Sequence, residues 1–442
     1  MSDKLIFAAF VGIDWADREH AVHLYDPGLQ RPEPRILEQS PEAIDAWAEN
    51  LRRRFYGKPV AVALEQSRGP LVYALMKYPH LVLFLINPKQ LASYRTAVAP
   101  SGAKNDPNDA RLLCEFLFKH QPRLRAWKPD DVTTRTIRVL AEDRRNAVGE
   151  RTGLTNHLRQ KLNECFPQAL KLVGAALHVP SFLKLLAKYP TLKEMQRASP
   201  RTLVAMLPRR RKTRDDGDQA RGAKHTTAAV ASGKDRDFAD PRIQALRQAV
   251  PQVTDAALLI ASRIAIGKLV AQIAALNEAI NEYDRELDQL MQEHPDAKLF
   301  QSLPGAGRAL APRLLAAMGA DRERFATAAD VQQASGIAPV TTQSGKSHSV
   351  RRRRACPRFL KQTFQEFAEH SLKGSSWARA YYQLLRKQRN ARHHAAVRSL
   401  AFKWIRIIHR CWKDRAPYNE QQYLARLRQT NSPLLAYMAI NG

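Results

Sequence analysis

The sequence predicts an α/β domain joined to a mainly α-helical remainder, and three observations in the 442-residue chain carry that prediction. Short apolar runs alternate with segments of helical spacing through about residue 125. Two long stretches of helical periodicity follow, and past Pro295 the texture shifts to a Pro-Gly turn and helices rich in aromatics and arginine. The implied organisation is an α/β domain over 1–125, a coiled-coil region over 126–294 and a C-terminal domain over 295–442.

Taken in order, the apolar run from Leu5 to Asp14 and the segment AVHLYD from Ala21 to Asp26 read as a hairpin, with a third strand near Arg35 to Gln39. PEAIDAWAENLRRRF has helical spacing at Ile44, Trp47 and Leu51. Residues 59–65 (PVAVALE) and 81–86 (LVLFLI) are continuous apolar runs, as in strands buried on both faces, and GPLVYALMKY between them is helical. A hairpin followed by such alternation implies a mixed sheet. From Asp131 to Phe166 the chain is almost free of Pro and reads as one long helix. A second runs from about Pro241 to His294, where Ile260, Ile264, Leu269, Ile273, Leu276 and Ile280 suggest a seam that would pair the two as an antiparallel coiled coil, within or between protomers. Between them, 209–240 is polar, rich in Gly, Ala and Thr and mixed in charge, and reads as a mobile insertion.

Charge points to the partner. Lys and Arg number 71 against 42 Asp and Glu, a net +29, and the excess recurs in RLRAWK, PRRRKTR, SVRRRR and LLRKQRNARHH instead of lying in one tail. A polyanion bound by such surfaces should be released steeply by salt, and the obvious polyanion is a nucleic acid. Cys114, Cys165, Cys356 and Cys411 are scattered, with no CxxC and no ligand-spaced His, which argues against zinc and for reduced thiols in a cytoplasmic protein. The N-terminal apolar run is interrupted by Asp14 and reads as a strand, not a signal peptide. No stretch approaches the ~18 uninterrupted apolar residues of a membrane span, so no membrane partner is expected.

Four carboxylates form the candidate metal site: Asp14 in VGIDWADREH, Glu65 in VAVALEQSRG, and Asp106 and Asp109 in KNDPNDARLL. The first two end apolar runs, and the last two sit three apart where a helix begins, on one helical face. Hard oxygen donors suit Mg²⁺ or Mn²⁺, and two such ions about 4 Å apart can activate attacking and leaving oxygens in phosphoryl transfer. Bland roles compete: Asp14 as a strand-end cap, Asp106 as a helix N-cap. Glu65 has fewer such roles, because a carboxylate on a buried strand is costly unless paired or metal-bound. Lys104, Asn105 and Gln66 are candidates for phosphate contact or for support of the acids.

A second constellation lies in TTQSGKSHSVRRRR. Ser344 sits in a polar, Gly-containing loop, with Lys346, His348 and Arg351, Arg352, Arg353 and Arg354 offering positive charge for a nucleophile attacking phosphate. A turn serine beside an arginine phosphate clamp is the competing account. In SLPGAGRALAPRLLAAMG, Gly305 and Gly307 open a Pro-Gly-x-Gly turn before an apolar helix, an arrangement that can present backbone N–H groups to an anion and that is equally an ordinary interhelical turn.

GIDW with its hairpin, ALEQSRGP, NPKQLASYR leading into KNDPNDA, SLPGAGRALAPRLLAAMG, ASGIAPVTTQSGK and WARAYYQLLRKQ together resemble the DEDD transposases of bridge-RNA-guided insertion sequences, over 8–120 and 296–410. The resemblance implies a RuvC-like, RNase H-type N-terminal domain in which Asp14, Glu65, Asp106 and Asp109 hold the metals. It also implies a C-terminal transposase domain whose serine, here Ser344, becomes covalently linked to DNA. Implied partners are donor and target DNA, a structured noncoding bridge RNA that pairs with both, and further copies of the chain in a tetramer with composite active sites. The alternative is a structure-specific nuclease of the Holliday-junction resolvase kind, in which the acids act alone and the serine is idle.

Overall fold

The computed structural model describes residues 6–65, 69–98, 106–174, 176–207, 240–345 and 347–441. Gln66, Lys104, Asn105, Lys346 and, Asp240 apart, the segment 209–240 lie outside the described residues. The chain divides into two compact units, Met1–Pro129 and Asp130–Gly442.

The first unit is built on a five-stranded mixed sheet of order β3-β2-β1-β4-β5. β1 (Ala9–Asp14) is antiparallel to β2 (Glu19–Asp26), which is antiparallel to β3 (Arg31–Glu38). On its other side β1 is parallel to β4 (Val60–Leu64), itself parallel to β5 (Leu81–Leu85). β3 begins ahead of the expected Arg35 because Pro32 and Pro34 are tolerated on an edge strand, whose outer side pairs with no strand among the described residues. The helices are α1 (Pro41–Arg54), α2 (Pro70–Leu75), α3 (Pro88–Val98) and α4 (Asp106–His120). Strand alternation sorts the core into two layers. Ala9, Val11 and Ile13 face Ile44, Trp47 and Leu51 of α1, while Phe10, Ala61, Ala63 and Phe84 face Leu112, Leu113 and Leu117 of α4. β4 is therefore covered on both faces, which accounts for its unbroken apolar run.

In the second unit, α5 (Val132–Cys165) and α6 (Ala256–Glu293) start at aspartates that accept from backbone N–H groups, Asp131 from Thr134 at 2.9 Å and Asp255 from Leu258 at 2.8 Å. They run antiparallel, held by Thr134–His294 at 2.9 Å, Arg144–Asp284 at 2.6 Å and Arg151–Asn277 at 2.9 Å, each step forward on α5 matched by an equal step back on α6. Two expectations are corrected here. The second long helix begins at Ala256, with Pro241–Arg247 a separate short helix seated by Ile243 and Leu246. Leu269, Ile273 and Ile280 are buried as expected, but Ile260 and Ile264 are 63 and 61 % exposed. In the register set by the three pairs, α5 ends about opposite Arg263, so the start of α6 has no α5 residues to cover it. An 18-residue window of α6 has mean hydropathy 1.6, enough to cross a membrane by length and composition, although Arg263 and Lys268 interrupt the apolar run; 22 % of that window is buried.

The C-terminal half of this unit packs α7 (Gly307–Met318), α8 (Arg358–Ser371), α9 (Ser376–Lys387) and α10 (His393–Asp414) around Trp377, Trp404 and Trp412, all fully buried. Residues expected to be irregular form a hairpin here, β6 (Val340–Ser344) and β7 (Ser347–Arg351). It escapes sequence patterning because β6 is exposed along its whole length and β7 nearly so, leaving no buried face to impose alternation.

Candidate functional site

The site starts from Gly12. A Cβ there would meet the Ala110 carbonyl oxygen at 2.1 Å and the Cys114 nitrogen at 2.4 Å, so the missing side chain lets α4 lie directly on β1. Cys114 Sγ donates to the Phe10 carbonyl at 3.3 Å, and the Phe10 and Phe118 rings meet edge to face at 5.1 Å. Stepping back along α4 from Phe118 through Cys114 to Ala110 thus moves forward along β1 from Phe10 to Gly12. One more helical turn back is Asp106, and the next β1 residue on the same face is Asp14.

Asp14 and Glu65 follow the same logic. Ile13 pairs with Leu64 in the parallel ladder, and each acid is the next residue at the carboxyl end of its strand. Both are partly exposed, as suits groups at a sheet rim where ligands of α/β folds collect. Asp106 is exposed at the first position of α4, and Asp109 is buried, 1 % exposed. Both lie in the first turn, where the helix dipole favours negative charge. Arg95 of α3 brings Nη2 within 2.7 Å of Asp109 Oδ1. Among the described residues that oxygen nonetheless has no aligned hydrogen-bond donor and Arg95 Nε no acceptor; the pair is a close charge contact rather than a fork.

Sequence reasoning missed the residues that hold this corner. His20 is fully buried; Ala16 N–H donates to its Nδ1 at 3.3 Å, which leaves Nε2 to donate to Gln39 Oε1 at 2.6 Å. Burial lowers its pKa, with the Gln39 bond opposing, and so favours the neutral ring that this pairing needs. The turn leaving Asp14 is tied down by it. His23, opposite Gly12 on β2, is likewise lowered, first by burial and then by Arg111.

As donors the four acids fit a hard divalent ion, and Asp109 supplies a buried oxygen to which no described residue donates. Among the described residues, however, no group of three or more His, Cys, Asp or Glu converges closely enough to hold a metal, and Arg95 supplies the counter-charge to Asp109.

Ser344 ends β6 opposite Ser347, and Gly345 after it has φ +53°, the left-handed conformation of primed hairpin turns. The serine is exposed. His348 pairs with Gln343 and so lies on the opposite face of the hairpin, which removes it as a base for Ser344 within the hairpin. Arg351, Arg352 and Arg354 are exposed, whereas the Arg353 carbonyl accepts from Lys361 Nζ at 3.2 Å. The two candidate glycines separate: a Cβ at Gly305 would meet the His370 carbonyl at 2.6 Å, a packing requirement, while no atom of the described residues lies within 4 Å of one at Gly307.

Comparison with known proteins places these features in company. A family profile described as transposase matches residues 11–167, and one described as transposase IS116/IS110/IS902 family matches residues 297–383. The chain is 31 % identical over 439 residues to the mini-circle IS117 protein of Streptomyces coelicolor, covering 95 % of this chain and 97 % of the relative. It is 24 % identical over 423 residues to the insertion element IS110 43.6 kDa protein of the same organism, covering 95 and 98 %. With the IS116 44.8 kDa protein of Streptomyces clavuligerus it shares 25 % over 329 residues, covering 73 and 75 %.

Proposed function

Because the chain belongs to the IS116/IS110/IS902 transposase family, enzymes that process DNA in transposition, we propose that it cleaves and exchanges DNA strands under the guidance of a structured RNA, using its acids and a covalent serine. The observation that carries this reading is the shared end and face of Asp14, Glu65 and the first turn of α4. In the reading, Asp14, Glu65, Asp106 and Asp109 hold divalent ions, Mg²⁺ or Mn²⁺, which would supply Lewis-acid stabilisation of the phosphoryl oxygens. Asp109, paired with Arg95, is poised to exchange that partner for an ion.

Ser344 Oγ attacks phosphorus: the Oγ–P bond forms as the bond to the departing strand breaks, and the leaving oxygen takes up a proton. Its solvent-facing place on a projecting hairpin, with the arginine run at the hairpin base, supports this role. His348, on the other face of the hairpin, is not the proton acceptor in this reading. RNA guidance is supported by the motif resemblance and by the +29 charge, which exceeds the needs of a small acidic site. Assembly into a homo-oligomer, a tetramer by that resemblance, is supported by the uncovered apolar start of α6.

The test is cleavage of an element-end DNA in the presence of co-purified RNA. Ser344→Ala should abolish the protease-sensitive protein–DNA adduct and leave RNA retention intact; protein-free ends produced at full rate would instead make the chain a nuclease that uses only the acids. Asp14→Asn should lower cleavage at least 100-fold with Mg²⁺ or Mn²⁺, on the scale of losing one charge-stabilising group.

A further inference from the structure

α10 buries Ala396, Leu400, Trp404, Ile408 and Trp412 against the C-terminal core and presents Lys403, Arg406 and Arg410 along its flank, at spacings of three and four. The helix α11 (Glu420–Gln429) turns Tyr423 and Arg426 toward the same space, and a cleft of about 610 Å³ separates the two helices. The charge in this cleft is one-sided. Among the described residues, Arg410 alone of the four cations lining the cleft pairs with a carboxylate, Asp414 at 3.1 Å, and Asp414 is the one acid in that lining. Lys403 holds its ammonium 4.2 Å from the centre of the Tyr381 ring, and burial and the neighbouring Arg406 lower its pKa. Like charges held this close without carboxylates raise the free energy of the empty cleft, and an anion that enters relieves it.

We propose that the cleft between α10 and α11 is a binding site for a nucleic-acid strand, with Lys403, Arg406 and Arg426 on its phosphodiesters. Arginine forks match phosphate oxygens, and Tyr418 and Tyr423 add aromatic walls of the kind against which bases and sugars pack. Membership of a DNA-processing family selects nucleic acid over other polyanions. The inference rests on that membership and is independent of the acids and of Ser344, neither of which lines the cleft.

Fluorescence anisotropy of the full chain with labelled single-stranded DNA, duplex DNA and RNA of one length, titrated across salt, tests it. Arg406→Glu/Arg426→Glu should weaken binding at least tenfold for the strand the cleft holds. It should also lower the slope of log affinity against log salt by about 1.8 for duplex DNA or about 1.4 for a single strand, near 0.9 or 0.7 for each lost phosphate contact. The arm that changes identifies DNA or RNA. Unchanged slopes in all three arms, or an equal change in Arg285→Glu outside the cleft, would overturn the site. A second measurement needs no variant: phenylglyoxal modification of Arg406 and Arg426 in the wild-type chain, read by mass spectrometry, should be suppressed by the bound strand. Equal modification with and without it would count against the proposal.

Discussion

At the scale of single residues, the candidate site depends more on what Gly12 lacks than on what the acids carry. Gly12→Ala would push a methyl group into the α4 backbone, and the nearest atoms, Ala110 O and Cys114 N, are fixed by helix geometry and cannot swing aside. We expect a destabilisation of about 3 kcal/mol, seen as a lower urea midpoint, and loss of DNA cleavage with all four carboxylates intact. A midpoint equal to that of the unsubstituted protein would show that α4 does not rest on β1 as described. Asp14 and Glu65 were legible in the sequence because apolar strand runs stop at them. Gly12, His20 and Arg95 were not, because each acts on a partner distant in the chain and leaves no periodic trace: Gly12 on Ala110, His20 on Gln39, Arg95 on Asp109.

At the scale of elements, the α5–α6 pair keeps its register with polar contacts inside an apolar seam. Asn277 is 8 % exposed, accepts from Arg151 at 2.9 Å and donates to the His178 carbonyl at 2.8 Å. Asn277→Ala would leave a half-buried guanidinium and a carbonyl without partners, at a cost of about 1–3 kcal/mol by urea unfolding; a neutral effect would mean that the seam tolerates register slip. Helical periodicity announced both long helices. It did not announce where α6 loses its cover, because the apolar repeat continues past the point where α5 stops. The β6–β7 hairpin was invisible for the opposite reason: exposed strands need no apolar alternation, and Gly345 alone is an ambiguous turn signal.

For the whole molecule, the uncovered start of α6 bears on assembly. Ile260 and Ile264, four apart and so neighbours on one face of α6, are 63 and 61 % exposed, and Leu258 is 57 % exposed on another face of the same turn. If copies associate there, Ile260→Glu/Ile264→Glu should shift the sedimentation coefficient from oligomer toward monomer, while the melting temperature of the monomer stays nearly constant, since both side chains are mostly exposed. An unchanged sedimentation profile would place self-association elsewhere. The mixed α/β sheet and the mostly helical remainder could both be read from residue patterns, whereas burial on each helix face could not, because it depends on partners the pattern does not name.

The bare α-carbon of Gly12 has a genetic corollary. One nucleotide separates a glycine codon from an alanine codon, so, if Gly12→Ala abolishes cleavage as expected, a point change that spares every acid and Ser344 would silence a copy of this gene. Counting intact DEDD and serine motifs in a genome would then overstate the number of elements still able to move.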